Sequence, residues 1–413
     1  MRRPLVFVFV CLVGTLAEPF MPHAQAQTLD PAVYPTQKPA AFSLRRLTTH
    51  EEGEGQSRCS LASRELTLAS VPLIGAGFAL RPFKQDFRDA RYRFVPTYRH
   101  TWDDYLQYVP LAASWGMKVG GVEGRSDWPR FLVANACSYA VMAALSNGLK
   151  YSIRDPRPDA ETRNSFPSGH TALAFTAATI LHKEYGLTRS PWYSVAGYTT
   201  ATATAVGRVL NNRHWAADVV CGAGIGILST ELGYFLTDLI LGDGHYVRPQ
   251  RPEPWNPNPH PSFITFQMGA TWVPDIGDIH TAVASMVGLE AAYFFTPYVG
   301  VGGRLRVSSA QATLAADIDR LALFSWDAGI YGAYPIDRHW SAGAKVTYGR
   351  LHTSYISFAS LYVPATASGK LGLGASITYQ ARGGVAWRLF ADYDHAHAPY
   401  HLFTLGTAAE LRF

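Results

Sequence analysis

A histidine and an aspartate four residues apart, His214 and Asp218, carry the clearest chemical potential in this sequence. Residues at this spacing share one face of a helix, so the Asp218 carboxylate can accept a hydrogen bond from one ring nitrogen of His214. That bond fixes the imidazole tautomer and leaves the other nitrogen as a nucleophile. Because an isolated His–Asp pair is more often an ordinary hydrogen bond, the interpretation depends on the neighbouring motifs.

Three basic residues indicate what such a nucleophile would attack. Lys150 and Arg157 lie where a long apolar segment runs into a Pro-containing loop, KYSIRDPRP, and Arg208 precedes His214 in GRVLNNRHWAAD. Arginine offers paired donors that match phosphate oxygens, and lysine offers a compact positive charge. The pattern predicts that these three cations bind one phosphate group.

The motif Pro167-Ser168-Gly169-His170 stands directly before another apolar stretch. Backbone amides at the start of a helix, with the positive end of its dipole, favour an anion. Gly169 lets the backbone approach a ligand closely. We therefore expect Ser168 and Gly169 to bind phosphate, and His170 to be the general acid for the leaving alkoxide.

In this order and spacing the three motifs resemble the type 2 phosphatidic acid phosphatase superfamily, which includes bacterial acid phosphatases and vanadate haloperoxidases. The resemblance covers roughly residues 105–242. It implies that His214 is the nucleophile, that Asp218 orients it and that His170 is the acid. It implies hydrolysis through a phosphohistidine, with no metal or other cofactor. The phosphate-binding residues that it implies are Lys150, Arg157, Ser168, Gly169 and Arg208.

Two positions depart from the family pattern. Gly207 stands before Arg208 where the family commonly has serine, which predicts the loss of a minor phosphate contact. The spacer between Pro158 and Pro167 is shorter than usual, which predicts a more open pocket mouth. Neither change removes a catalytic residue.

The motifs lie within residues 66–242, where apolar stretches of helical length alternate with Gly or Pro. The stretches predict an all-α six-helix bundle, the phosphatase domain, with helices near 66–81, 105–121, 128–151, 170–186, 191–210 and 215–241. Residues 131–149 are uncharged and long enough to span a bilayer. Glu231 and Asp238 in the last stretch instead favour a compact bundle outside the inner membrane. An inner-membrane location is the alternative.

From residue 262 the apolar period changes to two, which is typical of strands with one apolar face. We expect eight strands, near 262–273, 280–294, 298–309, 320–332, 339–351, 369–380, 384–394 and 401–413. Short connections alternate with longer ones, near 274–279, 310–319, 352–368 and 395–400. This pattern and the terminal Phe413 resemble small outer-membrane barrels of the outer-membrane protein A type. Residues 262–413 are thus predicted to form an antiparallel, up-and-down outer-membrane β-barrel; a soluble β-sandwich or lipocalin-like barrel is the alternative.

The remaining segments suggest an exported chain of α + β two-domain class. Residues 1–26 read as a signal peptide, 27–65 as a polar linker and 243–261 as a Pro-rich linker. The formal charge of +5, without a basic run, gives no indication of nucleic-acid binding. The cysteines of the mature chain have no metal-ligand spacing, and we expect no disulfide scaffold. An even strand number would leave the helical domain hanging in the periplasm.

This layout resembles Bacteroidetes lipid phosphatases. The expected function is hydrolysis of a lipid phosphate such as lipid A in the periplasm, by a protein held in the outer membrane. The alternatives are a broad-specificity periplasmic acid phosphatase on soluble esters, a vanadate haloperoxidase, and a porin or adhesin whose helical domain is vestigial. The sequence does not indicate the oligomeric state or which phosphate is removed.

Overall fold

The structure is a computed structural model. It describes residue 66 and residues 70–242, 246–247, 261–337, 339–380, 385–396 and 400–412. The predicted signal peptide, the N-terminal linker apart from residue 66, most of the Pro-rich linker and the terminal Phe413 lie outside the described residues.

The helical region begins with four short helices and continues with four longer ones. The short helices are α1 (Ser70–Leu80), α2 (Lys84–Phe94), α3 (Trp102–Leu106) and α4 (Val109–Val119). The longer helices are α5 (Trp128–Ile153), α6 (Gly169–Leu181), α7 (Pro191–Leu210) and α8 (Ala216–Leu241). A 3-10 turn joins α1 to α2, and a π-helical turn, His182–Gly186, ends α6.

Six of these helices correspond to the six predicted stretches, whereas α2 and α3 were not predicted. Helix α2 has the sequence KQDFRDARYRF, which is too charged to stand out by hydrophobic pattern. It is nevertheless amphipathic, since Phe87 and Ala90 are buried among its charged residues. The five residues of α3 are too few to show a helical period.

Helix α8 packs against α1, α5 and α6. Its glycines permit this close approach: an added Cβ would lie 2.7 Å from the Ser168 carbonyl oxygen at Gly222, and 2.5 Å from the Ala172 carbonyl oxygen at Gly226. Small residues therefore hold the start of α6, which carries the second motif, against the start of α8, which carries the third.

The second part of the chain is a closed eight-stranded antiparallel barrel, as predicted. Each strand pairs with its neighbours in the chain, and the first strand pairs with the last, so that Phe263 lies opposite Arg412. The strands are β1 (Phe263–Trp272), β2 (Ala284–Phe294), β3 (Val299–Leu314), β4 (Asp317–Pro335), β5 (Trp340–Thr353), β6 (Ala367–Gln380), β7 (Val385–Ala396) and β8 (His401–Arg412). Closure leaves no unpaired sheet edge.

Charged side chains fill the middle of the barrel, and apolar side chains cover its outside. Arg304 contacts Asp327 at 2.5 Å and Asp392 at 2.8 Å, and Lys345 contacts Glu290 at 2.7 Å. Exposed apolar residues alternate with these along the strands: Val301, Ile330, Val346, Leu373, Ile377, Leu389 and Leu405. This polarity is the reverse of a soluble barrel, whose apolar face points inward, and it suits a barrel surrounded by lipid.

The two ends of the barrel differ. The end with the strand termini, here called the terminal end, has tight connections at 295–298 and 336–339. The opposite end, here called the loop end, carries the connections 273–283 and 354–366. The predicted loop over 310–319 is wrong, because β3 and β4 continue to a two-residue turn at 315–316. The apolar residues of this segment alternate less regularly, so the sequence did not indicate that the strands continue. Buried apolar residues, among them Ala312, Leu321 and Leu351, fill the inside of the barrel at the loop end.

The helical region lies beside the barrel wall, whereas the sequence predicted a domain hanging from the barrel. Outward-facing barrel residues pack against a helical core that includes Ile74, Leu149 and Ile227. The barrel residues in this contact are Phe266, Met268, Val287, Trp387 and Ala409. The sequence could not show this, because an apolar outward residue reads the same whether lipid or another part of the chain covers it.

The ionic interior of the barrel predicts a large effect of removing one buried charge. Asp392 contacts Arg304, Arg306 and Lys345 and has no exposed surface. Asp392→Ala leaves buried cations without their carboxylate, so we expect the barrel to lose about 3–5 kcal/mol of stability. Urea unfolding in lipid vesicles, followed by tryptophan fluorescence, measures the loss.

The matched control is Asp278→Ala, which removes an exposed aspartate in the connection before β2. We expect it to change stability by no more than about 0.5 kcal/mol. Equal unfolding midpoints for the two variants would contradict the assignment of the interior network as structural.

Candidate active site

His214 and Asp218 meet as predicted, although they do not share a helix. Helix α8 begins at Ala216, so His214 lies in the preceding loop and Asp218 in the first turn. The His214 Nδ1 atom lies 3.2 Å from Asp218 Oδ2. The same oxygen accepts a hydrogen bond from the Trp215 backbone N–H at 3.0 Å, as an acidic side chain does in the first turn of a helix. Capping geometry therefore brings the two side chains together.

A residue that the sequence analysis missed completes this arrangement. The Ser165 hydroxyl donates a hydrogen bond to the same Asp218 oxygen, and both side chains are buried. The Ser168 backbone N–H donates to the Asp218 carbonyl oxygen at 3.0 Å. The loop before α6 is thus attached to the first turn of α8. No sequence signal marks Ser165, because its partner lies 53 residues away.

The electrostatic surroundings favour a neutral His214. Burial lowers the pKa of His214, and the positive charges of Arg157 and Lys150 lower it as well. The hydrogen bond to Asp218 and the charge of its carboxylate act in the opposite direction and raise it. The net direction is downward, so the imidazole stays unprotonated to a lower pH than a free histidine. With Nδ1 engaged by Asp218, Nε2 is the nitrogen available for attack.

The structure brings the predicted phosphate-binding residues around this histidine. Lys150 Nζ donates to the Asn164 carbonyl oxygen at 2.9 Å, and Arg157 Nε donates to the Asn164 side-chain oxygen at 3.0 Å. An added Cβ on Gly169 would lie 3.9 Å from Lys150 Cε, so the first and second motifs are adjacent. Asn164, which the sequence did not indicate, therefore spaces the two cations.

Arg208 is buried and engaged by two carboxylates that the sequence analysis also missed. Its Nη1 atom lies 3.1 Å from Asp103 Oδ2 and 2.5 Å from Asp104 Oδ1. Its Nε atom is buried and makes no hydrogen bond to the described residues. Arg208 thus keeps a donor for an anion while two aspartates hold its guanidinium.

Gly207 explains how the two aspartates reach Arg208. A Cβ at this position would lie 2.7 Å from Asp103 Cβ and 2.9 Å from the Trp102 ring. Only a residue without a side chain lets α3 pack this closely against α7. The departure from the family serine therefore does more than remove a contact, because it admits the aspartates of α3.

His170 and Arg208 both contact the Asp104 carboxylate. Its Nε2 atom is 3.4 Å from Asp104 Oδ1, and about a third of its side chain is exposed. Burial, followed by the nearby positive charge of Arg208, lowers the pKa of His170 to about 4. The Asp104 carboxylate opposes this shift and raises the pKa. The pKa of His170 therefore depends on the charges at both Arg208 and Asp104.

Ser168 has a local structural role in addition to its predicted one. It is the N-cap of α6: its hydroxyl oxygen accepts from the Thr171 backbone N–H at 3.4 Å and from the Thr171 hydroxyl at 3.0 Å. An N-cap serine satisfies one of the unpaired amides at a helix start. The first amides of α6 face the same region as Lys150, which is the arrangement predicted for an anion site.

Among the residues that the structure describes, no group of three or more His, Cys, Asp or Glu side chains is arranged to hold a metal ion. The positive charge in the site comes from Lys150, Arg157 and Arg208. Together with His214 and His170, these side chains can bind a phosphate group, attack it and protonate its leaving group.

Comparison with known proteins finds a family and a relative that match this part of the chain. Residues 131–238 match the model of the PAP2 superfamily. The chain is 47% identical over 175 residues to a lipid A 1-phosphatase of Porphyromonas gingivalis, an alignment that covers 42% of this chain and 39% of the relative. The chain thus spans about two fifths of the length of the curated relative that it matches.

Two solved structures match at low similarity, each over about a third of the chain. The attachment invasion locus protein Ail of Yersinia pestis is 16% identical, covering 37% of this chain and 99% of its own, with a TM-score of 0.30. LpxE of Aquifex aeolicus is 22% identical, covering 34% of this chain and 91% of its own, with a TM-score of 0.28. These scores are too low to support an argument. On the family match, residues 131–238 of this chain are a PAP2 superfamily domain.

Proposed function

We propose that this protein is a phosphatase that hydrolyses a lipid phosphate monoester through a phosphohistidine at His214. The observation that carries the proposal is the convergence of the His214–Asp218 pair with three cations and the start of α6. The 47% identity to a lipid A 1-phosphatase over this same part of the chain supports it.

The first chemical step transfers the phosphoryl group to the protein. Nε2 of neutral His214 attacks phosphorus, while Asp218 accepts the hydrogen bond from Nδ1 and stabilises the imidazolium that forms. The bond from phosphorus to the leaving oxygen breaks, and protonated His170 gives its proton to that oxygen. Lys150, Arg157 and Arg208 neutralise the charge on the non-bridging oxygens.

The second step returns the enzyme to its starting state. Neutral His170 removes a proton from water, and the resulting hydroxide oxygen attacks the phosphorus of the phosphohistidine. The nitrogen–phosphorus bond breaks and inorganic phosphate leaves. His214 regains its neutral form, and His170 is again protonated for the next leaving group.

Substrate binding explains how a histidine with a lowered pKa can act as an acid. A phosphate monoester brings up to two negative charges to Arg208, close to His170. Negative charge nearby favours the protonated imidazole, so binding raises the pKa of His170. In the free protein the Asp104 carboxylate raises the pKa of His170. The bound phosphate has the same effect, and its larger negative charge makes the effect stronger.

The barrel supports a location in the outer membrane. Its charged interior and apolar exterior suit a lipid environment, and exposed aromatic residues flank the apolar belt at both ends. Tyr298, Tyr334 and Trp340 lie at the terminal end, and Trp272, Tyr393 and Phe403 lie toward the loop end. The phosphorylated lipids of that membrane, with lipid A as the first candidate, are the substrates within reach.

Replacing the nucleophile tests the mechanism. We expect His214→Ala to lower kcat by about 10³-fold or more, because no other side chain can form the covalent intermediate. His280→Ala, which removes an exposed histidine in a barrel connection, is the control and should leave kcat unchanged. An alkaline detergent quench, which preserves the acid-labile phosphohistidine, should leave ³²P from a labelled lipid phosphate on the parent protein and none on the alanine variant. Full hydrolysis by His214→Ala would refute the proposal.

Comparison of two substrates tests the choice of a lipid. Purified protein in mixed micelles is given a lipid A phosphate and, separately, p-nitrophenyl phosphate. We expect kcat/KM to be at least about tenfold higher for the lipid, because remote binding of the acyl chains contributes to catalysis. Equal values would favour the broad-specificity phosphatase, and oxidation of halide after vanadate loading would favour a haloperoxidase.

The pH profile tests the relation between Asp104 and His170. Asp104 raises the pKa of His170, so Asp104→Asn should lower that pKa further and narrow the range in which the acid is protonated. The alkaline limb of kcat/KM should therefore move to lower pH, while KM for the lipid falls because Arg208 has lost a competing carboxylate. Glu161→Gln, at an exposed carboxylate paired with Arg213, is the control. An unchanged alkaline limb would contradict the role of Asp104.

A further inference from the structure

The position of the catalytic site along the barrel axis can be read from contacts of α2. One side of this helix contacts the loop end of the barrel. Arg320, near the start of β4, pairs with Asp86 and with Asp89, the latter at 3.1 Å. Arg93 contacts Asp319 at 2.5 Å. The ring of Phe94 lies 6.0 Å from that of Phe324.

The other side of α2 contacts the catalytic site. Lys84 Nζ lies 2.7 Å from Asp155 Oδ1, in the loop that carries Arg157. Arg91 Nε donates to the Leu210 carbonyl oxygen at 2.9 Å, between Arg208 and His214. Helix α2 has 11 residues and is about 16 Å long. Because this helix contacts both the catalytic site and the loop end, the distance between the two is no greater than the length of the helix.

The direction of α8 independently indicates the same position of the catalytic site along the barrel axis. This helix begins beside His214, and its twelfth residue, Ile227, shares a cluster with Leu411 at the terminal end of β8. The catalytic site therefore lies at the start of a helix that runs toward the terminal end, so it cannot itself be at that end.

Exposed aromatic side chains lie beside the site at this level. Trp102, Tyr105 and Tyr108 are 37%, 74% and 48% exposed, and they flank the aspartates that hold Arg208. Tryptophan and tyrosine with one apolar and one polar edge favour the boundary between lipid and water. Their position next to the site suits a protein that takes a phosphate at a bilayer surface.

In outer-membrane barrels the chain termini and short turns face the periplasm, and the longer loops face outward. From these observations we infer that the catalytic site opens at the cell surface and takes its phosphorylated lipid from the outer leaflet. The sequence suggested a site facing the periplasm; the geometry points to the opposite side. This inference rests on the proposed function for the identity of the substrate, but not for the side of the membrane.

Cysteine labelling of the full chain in intact Gram-negative cells tests this inference. Glu161→Cys and Arg163→Cys place thiols on the exposed loop beside the site. Leu361→Cys marks the loop end and Ile336→Cys the terminal end, both at exposed positions. Each variant is treated with a membrane-impermeant maleimide before and after lysis, and the parent chain measures background from natural cysteines.

We expect the two site variants and Leu361→Cys to be labelled in intact cells, and Ile336→Cys only after lysis. Labelling of both site variants only after lysis, with Leu361→Cys labelled in intact cells, would overturn the inference. Labelling of Ile336→Cys but not Leu361→Cys in intact cells would overturn it as well, because the barrel would then have the reverse orientation.

Activity separates this test from the proposed function. The Glu161→Cys protein is purified in detergent and assayed on a lipid phosphate. Activity together with labelling only after lysis would support the phosphatase function and contradict the location at the cell surface. Surface labelling of a protein without activity would retain the location and remove the phosphatase.

Discussion

The carboxylate of Asp218 is the contact on which the catalytic arrangement depends. One oxygen accepts hydrogen bonds from the His214 ring, the Ser165 hydroxyl and the Trp215 backbone. It therefore orients His214, the proposed nucleophile, attaches the loop before α6 and caps α8 at the same time. Three donors on one oxygen hold this carboxylate in a fixed position, where the proposed mechanism needs it to stabilise the imidazolium formed during attack. Stability of the local fold and reactivity of the histidine thus share one group.

The charged side chains inside the barrel need stabilisation without contact with water. Its interior holds arginines, lysines, aspartates and glutamates away from both water and lipid, where unpaired charge would be costly. Arg304 illustrates the solution, because this one guanidinium contacts the carboxylates of Asp327, Asp392 and Asp394. The outside can then be largely apolar, which suits both lipid and the helical region packed against β1, β2, β7 and β8.

Much of this architecture was predictable because it follows from period and spacing. The alternation of apolar and small or polar residues predicted eight strands and a barrel, and four of the six predicted helices contain or border the motifs. Residues whose importance depends on distant partners were not predictable. Ser165 and Asp103 look like ordinary loop and helix residues until folding brings Asp218 and Arg208 beside them. Helix α2 was missed because its charges have partners in the barrel rather than in its own segment.

The aspartates at Arg208 show why a departure from a family pattern need not mean lost function. A serine at position 207 would collide with Asp103, so the glycine and the acidic pair of α3 belong together. In the free protein the pair compensates a buried guanidinium that would otherwise be costly to hold near two other cations. A phosphate must displace Asp104 to use the same donor, whereas Asp103, buried and held by Asn211 at 2.7 Å, can remain. Under the proposed function, the exposed carboxylate is the one that a substrate would displace, and the buried one would keep Arg208 in place.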